Sequence, residues 1–311
     1  MGGPPWFIFL SSVKSAFTSG SKNLVAEAVR NSNKDLLILF SISKNKLENE
    51  TGSQNAFKNL SKIISFFYIQ MEMESKGKNL ETRVVWLDGC GYNKMEYDNL
   101  LKNPGFVNLR NNKISESKFF ELDTESRGKL AERFGNEIVV DGANHAAVGG
   151  TFDHLHVGHK ILLSMTAYSS GSKVTCGITD EPLLKNKKFK EFLEPMDQRT
   201  HKVLDFFNTI KKGIDYNLVP LQDPFGPIIV DETVDTLVVS EETIVGTDKA
   251  NEIRLSKSMK PMEIVPIDLV SDFDSAAESK NADVPEGNTV EKISSTEIRK
   301  RLHLEHQENT K

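Results

Sequence analysis

Two histidines, His156 and His159, stand three residues apart in the run Gly149-Gly150-Thr151-Phe152-Asp153-His154-Leu155-His156-Val157-Gly158-His159. If the residues behind the glycines open a helix, this spacing puts both imidazoles on one face of its first turn. There the free N–H groups and the positive end of the helix dipole favour an anion. Gly149 and Gly150 let the backbone turn tightly and approach a ligand, Gly158 removes a side chain that would block a phosphate, and Thr151 adds a hydroxyl. Imidazoles so placed donate hydrogen bonds to phosphate oxygens and stabilise the charge that grows as a phosphorus becomes five-coordinate. Metal binding from a helix prefers histidines four apart beside a carboxylate, as in H-E-x-x-H, and that pattern is missing, so no metal-ligand set is expected.

A second run, Ile293-Ser294-Ser295-Thr296-Glu297-Ile298-Arg299, has the makings of an anion site near the end of the chain. Ser294 or Ser295 can cap a helix, further hydroxyls and N–H groups can face a phosphate, and Arg299 lies one turn on, where its fork reaches the same anion.

Elements to hold these residues are legible around them. Strand candidates are Ala146 to Gly150, Lys173 to Thr179, Asp215 to Leu221, Thr233 to Ser240 and Met262 to Leu269, with helical patterns at about 156–170, 195–212, 247–259 and from Ser295. Strands alternating with helices predict right-handed crossovers and a Rossmann-like α/β domain. It has a five-stranded parallel sheet with helices on both faces and ligands at the carboxyl ends of the strands. Residues 271–289 are polar and acidic and predict a mobile connection. At 311 residues the chain suggests two folding units: a smaller α/β domain over 1–137 and the sheet domain over 138–311. In the first, Leu36 to Phe40 and Val84 to Leu87 read as strands. Phe57, Leu60, Ile63, Ile64, Phe67, Tyr68 and Met71 recur as the core-facing stripe of a helix. No activity is assigned to this half, which carries no phosphate-binding glycine pattern.

The gross numbers narrow the ligand class. A net charge of −5 and a pI near 5.9 offer no broad basic field for nucleic acid, so an anion must be held by a local site. The two cysteines, Cys90 and Cys176, show no metal-ligand spacing and read as reduced thiols of a cytoplasmic protein. The apolar run Trp6 to Leu10 is too short for a membrane span, and Trp6 replaces the Ser or Thr of a myristoylation signal.

The histidine run resembles the G-T-F-D-x-x-H-x-G-H signature of the HxGH nucleotidyltransferase superfamily, and Ile293 to Arg299 resembles its second signature. Between them the chain is similar to eukaryotic phosphopantetheine adenylyltransferases in the order and spacing of Gly177-Ile178-Thr179-Asp180, Leu183-Leu184-Lys185-Asn186-Lys187, Glu194-Pro195-Met196-Asp197-Gln198-Arg199, Val219 to Pro227 and Val238 to Thr243, with Gly246, Asn251 and Arg254 beyond. The resemblance implies transfer of AMP from ATP to 4′-phosphopantetheine with Mg²⁺ on the leaving phosphates, and other coenzyme A biosynthetic enzymes as possible partners. It implies a catalytic set of His159, His156 and Lys185, with Lys187 and Lys188 as alternatives for the bridging lysine. Gly149, Gly150, Thr151, Phe152, Gly158, Ser240, Glu241, Gly246, Ser294, Ser295, Thr296 and Arg299 would meet the nucleotide. Lys187, Arg199, Asn251 and Arg254 would meet the acceptor. The rival readings are a cytidylyltransferase acting on a phospho-alcohol, and a non-catalytic scaffold.

Overall fold

The computed structural model describes residues 6–10, 12–49, 56–76, 78–92, 143–267 and 294–309. The chain divides into two compact units. The first comprises Met1–Gly142, Ala167–Ser169 and Asn208–Ile214, and the second Ala143–Thr166, Ser170–Phe207 and Asp215–Lys311. The expected boundary after residue 137 and the expected connection over 271–289 lie outside the described residues.

In the first unit the element order is β1 (Trp6–Phe9), α1 (Ser19–Asn31), β2 (Asp35–Ser41), α2 (Lys44–Asn49), α3 (Ala56–Glu74) and β3 (Glu81–Trp86). The strands form one parallel sheet in the order β1-β2-β3. β2 is a continuous apolar run because both of its faces are covered, and Leu36, Ile38, Leu39 and Phe40 are all buried. α3 buries the stripe read from its spacing, Phe57, Leu60, Ile63, Ile64, Phe67, Tyr68 and Met71. The short apolar run at the start of the chain is the sheet's edge strand. Among the described residues no helix is long and apolar enough to cross a membrane.

The second unit runs β4 (Ala143–Gly150), α4 (Val157–Ser169), β5 (Ser170–Thr179), α5 (Glu181–Leu184), α6 (Met196–Ile210), β6 (Asp215–Leu221), β7 (Thr236–Ser240), α7 (Thr247–Ser256), β8 (Glu263–Ile267) and α8 (Ser295–Asn309). Its five strands are all parallel, in the order β6-β5-β4-β7-β8, and helices flank the sheet as predicted. The strand between Thr233 and Ser240 begins three residues later than expected. Asp231 holds residues 231–233 in a turn, its Oδ1 accepting from both the N–H and the hydroxyl of Thr233.

This order places the site. The chain lays β4, β5 and β6 outward in one direction, then returns to pair β7 on the other side of β4. The switch leaves a crevice outside the carboxyl ends of β4 and β7, where two crossovers leave in opposite directions. Below the crevice, Ala147 of β4 and Leu237 near the start of β7 are paired and share a core cluster with Val239, Ala250 and Met262. β5 pairs with the other side of β4, so the strand that ends in Gly149-Gly150 is held on both sides.

Candidate active site

β4 ends in two glycines, and the chain then makes a six-residue turn into α4. Two turn residues, Phe152 at φ 49° and His154 at φ 46°, adopt the left-handed conformation that side chains normally avoid. Both are fixed by their surroundings. The Phe152 ring is fully buried and lies beneath Gly150, where an added Cβ would stand 3.0 Å from it. The N–H of His154 donates to Glu194 Oε2 at 2.9 Å, and its ring meets the Phe192 carbonyl at 2.8 Å. Asp153, between them, is buried. One of its oxygens accepts from the Glu194 N–H at 2.9 Å, and the other pairs with Arg299.

His156 occupies the N-cap position of α4 in extended backbone and makes no side-chain cap, while His159 is in the first turn. Their rings stack with centroids 3.8 Å apart and planes 25° apart, and Phe152 meets His159 edge-on at 5.3 Å. Neither buried Nδ1 has a hydrogen-bond partner, so no protein acceptor fixes either tautomer, and each ring keeps an N–H to give to an anion. Burial lowers the pKa of His156 to about 4, helped by the charges of Lys160 and His154. Burial also pushes His159 well below the ordinary histidine value, and His156 and Lys187 act in the same direction. Both rings are therefore neutral in the free protein at pH 7. Gly158 lies between them in the first turn, whose N–H groups have no carbonyl of their own helix to reach.

The lysines separate. Lys185 closes α5 as its C-cap and is exposed. Lys188 contributes its carbonyl, which accepts from Arg299 Nε at 3.0 Å. Lys187 and Lys188 are exposed like Lys185, and the charge of Lys187 helps lower the pKa of His159.

At the end of β7, Ser240 is nearly buried with its hydroxyl 3.2 Å from that of Thr243, and it opens the 3₁₀ turn Glu241–Gly246. Gly246 caps α7, and a side chain there would meet nothing within 4 Å. Beyond the end of β6 a cleft of about 400 Å³ is lined by Val219, Pro220, Gln222, Asp223, Pro227 and Val230, among others.

Three residues expected at the acceptor are committed to the scaffold. Arg199 is buried, with Nε on the Glu194 carbonyl at 2.9 Å and one terminal nitrogen on the carbonyls of Thr151 and Thr179, at 2.8 and 3.0 Å; it ties the ends of β4 and β5 to α6. Arg254 donates four hydrogen bonds, to the carbonyls of Lys260, Ile228, Asp231 and Val234, so each of its three nitrogens is engaged by backbone. Asn251 exchanges two hydrogen bonds with the backbone of Met262 and so registers β8. In the last helix, Ser294 is the cap, accepting from the Glu297 N–H at 3.3 Å. Ser295 donates to the Asp153 carbonyl at 2.9 Å, and Thr296 accepts from Arg299 at 3.2 Å. Arg299, expected to reach a phosphate, is 1% exposed and faces Asp153 instead. The three arginines share one reason: strand ends and the loops beyond them leave carbonyls and a carboxylate to be satisfied, and a buried guanidinium satisfies several at once.

Asp153, His154 and Glu194 form the one cluster among the described residues whose ligand atoms lie close enough to hold a metal. Both carboxylates are already paired, Asp153 with Arg299 and Glu194 with Lys202. The cluster does not fit an additional cation, and it reads as the frame of the turn.

The family model described as cytidylyltransferase-like matches residues 147–301, most of which belong to the second unit. The chain is 36% identical over 127 residues to a phosphopantetheine adenylyltransferase of Methanopyrus kandleri, a match covering 41% of this chain and 80% of that protein. The chain belongs to the phosphopantetheine adenylyltransferase family. Another family member, the phosphopantetheine adenylyltransferase of Saccharomyces cerevisiae, is 40% identical over 156 residues, and an uncharacterized protein of Schizosaccharomyces pombe is 41% identical over 157. Each of these two matches covers 50% of this chain and 48% of the relative, so the chain spans about half the length of the yeast proteins it matches.

Within this phosphopantetheine adenylyltransferase family member, Asp153 and Glu194 are the residues that sequence reasoning passed over. Both stood inside quoted motifs. The signal was chemical: a carboxylate directly behind a buried Phe must find a cation, and Arg199 and Arg299 sit in the other two motifs.

Proposed function

We propose that the second unit transfers AMP from ATP to 4′-phosphopantetheine, giving dephospho-coenzyme A and pyrophosphate. The observation that carries this reading is the stacked, neutral pair of His156 and His159, with unpartnered Nδ1 atoms, at the positive end of α4 and the switch point of the sheet. The relatives' names supply the acceptor.

The α-phosphate of ATP lies against the first turn of α4, where backbone N–H groups and imidazole N–H groups donate to its non-bridging oxygens. The acceptor phosphate is ionised at neutral pH and needs no general base. Its oxygen attacks the α-phosphorus in line, the bond from that phosphorus to the bridging oxygen breaks, and pyrophosphate leaves with the electron pair. Lys187 brings the two anions together. We assign it the bridging role first considered for Lys185, because its charge reaches His159. Ser240 and Gly246 border the nucleotide side of the crevice, and the cleft beside β6, with its valines and prolines around Gln222 and Asp223, takes the acceptor's arm. Mg²⁺ brought in with ATP would neutralise charge on the leaving phosphates; the paired carboxylates of Asp153 and Glu194 would not be the residues that hold it.

The test is purified protein with Mg·ATP and 4′-phosphopantetheine, followed by pyrophosphate release. Turnover with ATP and not CTP is the expected result. Turnover with CTP and a phospho-alcohol alone would replace the reading by that of a cytidylyltransferase, and none with either by that of a scaffold.

A further inference from the structure

Arg299 stands at a junction of three segments far apart in the chain. One terminal nitrogen pairs with Asp153 in the turn before the histidines, with side-chain exposures of 2% for the arginine and 0% for the aspartate. Its Nε donates to the carbonyl of Lys188, the residue after Lys187, and its other terminal nitrogen donates to Thr296 in its own helix. Ser295, one turn earlier, donates to the carbonyl of the same Asp153. Every nitrogen of the guanidinium is therefore engaged by protein, and the plane of the fork fixes the angles between three backbones.

We propose that Arg299 is a positioning residue: it locks the start of α8 to the histidine turn and the lysine loop, so that His156, His159 and Lys187 meet one phosphate geometry. This rests on the adenylyl-transfer reading for its consequence in catalysis, and on geometry alone for the lock itself. A buried ion pair of this kind adds little net stability over apolar packing, because desolvation offsets the attraction. What it supplies is a fixed arrangement, and an error of about 1 Å in such an arrangement costs roughly a hundredfold in rate.

The lock and a phosphate-ligand role for Arg299 separate experimentally. Full-length Arg299→Lys keeps the charge but cannot make the three-way fork; Asp153→Asn, nearly isosteric, removes the other half of the pair. In ligand-free protein, the ring resonances of His156 and His159 are expected to shift in Arg299→Lys, although the substitution lies in another helix. ATP affinity by calorimetry is expected to stay within about threefold of the parent, while kcat falls roughly a hundredfold. Asp153→Asn is expected to repeat that pattern, and the double variant to be no worse than either single one. Unmoved histidine resonances together with ATP binding weakened tenfold or more in Arg299→Lys would make Arg299 a phosphate ligand and overturn the proposal. So would an Asp153→Asn variant with parental kcat. Should Arg299→Lys fail to fold, Asp153→Asn decides alone, its kcat and ATP affinity read as above. Parent protein that binds ATP but releases no pyrophosphate would sink the proposed function while leaving the resonance test of the lock intact.

Discussion

The ring of His156 lies over the ring of His159, centroids 3.8 Å apart, and the edge of the stack is closed by Phe152. A stack of two imidazoles is stable only if they are not both positively charged, and burial together with Lys160 and Lys187 keeps them neutral. Neutral rings still donate to phosphate, and they spare the free protein the cost of two like charges in contact.

Replacing His159 by Ala removes one of these donors. The protein is expected to fold and to lose roughly two to three orders of magnitude in kcat, equivalent to ~2.7–4 kcal/mol of transition-state stabilisation. Steady-state pyrophosphate release measures it, and near-parental kcat would remove His159 from the reaction.

The histidine pair also sets an acid limit on stability. His156 has its folded pKa depressed to about 4 from the ordinary histidine value of 6.5, so the unfolded chain binds the proton more readily. Its contribution is complete above pH 6.5 and is lost as pH falls through that window toward 4. Thermal unfolding between pH 7 and pH 4 is expected to show a drop in Tm that is smaller in His156→Gln; equal drops in the two proteins would contradict the assignment.

Lys185 and Lys187 are distinguished by substitution. Lys187→Ala is expected to lower kcat/KM for the acceptor by at least about tenfold, as for loss of a charge-assisted contact of ~1.5–3 kcal/mol. Lys185→Ala is expected to stay within about twofold, since the bridging role is assigned to Lys187 and an exposed lysine without a ligand contributes little. The reverse ranking would return the bridging role to Lys185.

Gly150 has a packing reason to be glycine. A Cβ there would stand 3.0–3.2 Å from three atoms of the Phe152 ring. The ring is buried beside His159 and has little room to retreat. Gly150→Ala is expected to cost about 1–3 kcal/mol in denaturant unfolding, the usual range for overpacking. An unchanged midpoint would show that the ring moves freely.

Arg254→Met leaves the carbonyls of Ile228, Asp231, Val234 and Lys260 without their donor. A loss of about 2–4 kcal/mol in stability is expected, with KM for the acceptor unchanged at temperatures where the variant is folded. A raised KM with parental stability would restore Arg254 to the acceptor site.

Much of the second unit could be read from the chain because its signals are local. Parallel strands buried on both faces give apolar runs such as Val174 to Ile178, and helix α4 announces itself by a Gly-Gly stop and a histidine pair. The roles of Arg199, Arg254 and Arg299 could not be read that way. An arginine that binds phosphate and one that satisfies buried carbonyls have the same side chain and the same motif, and only the fold brings Thr151, Asp153, Lys188 and Val234 within reach of them. Strand order was hidden for the same reason: nothing local in β7 says that it returns to pair with β4.

The central claim is that the stacked imidazoles hold the α-phosphate of ATP. A crystal structure of the protein with a non-hydrolysable ATP analogue tests it most directly. The account predicts the α-phosphate at the first turn of α4, within hydrogen-bond distance of a ring nitrogen of His156 or His159. An α-phosphate bound elsewhere, with the two rings still stacked and unpartnered, would contradict it.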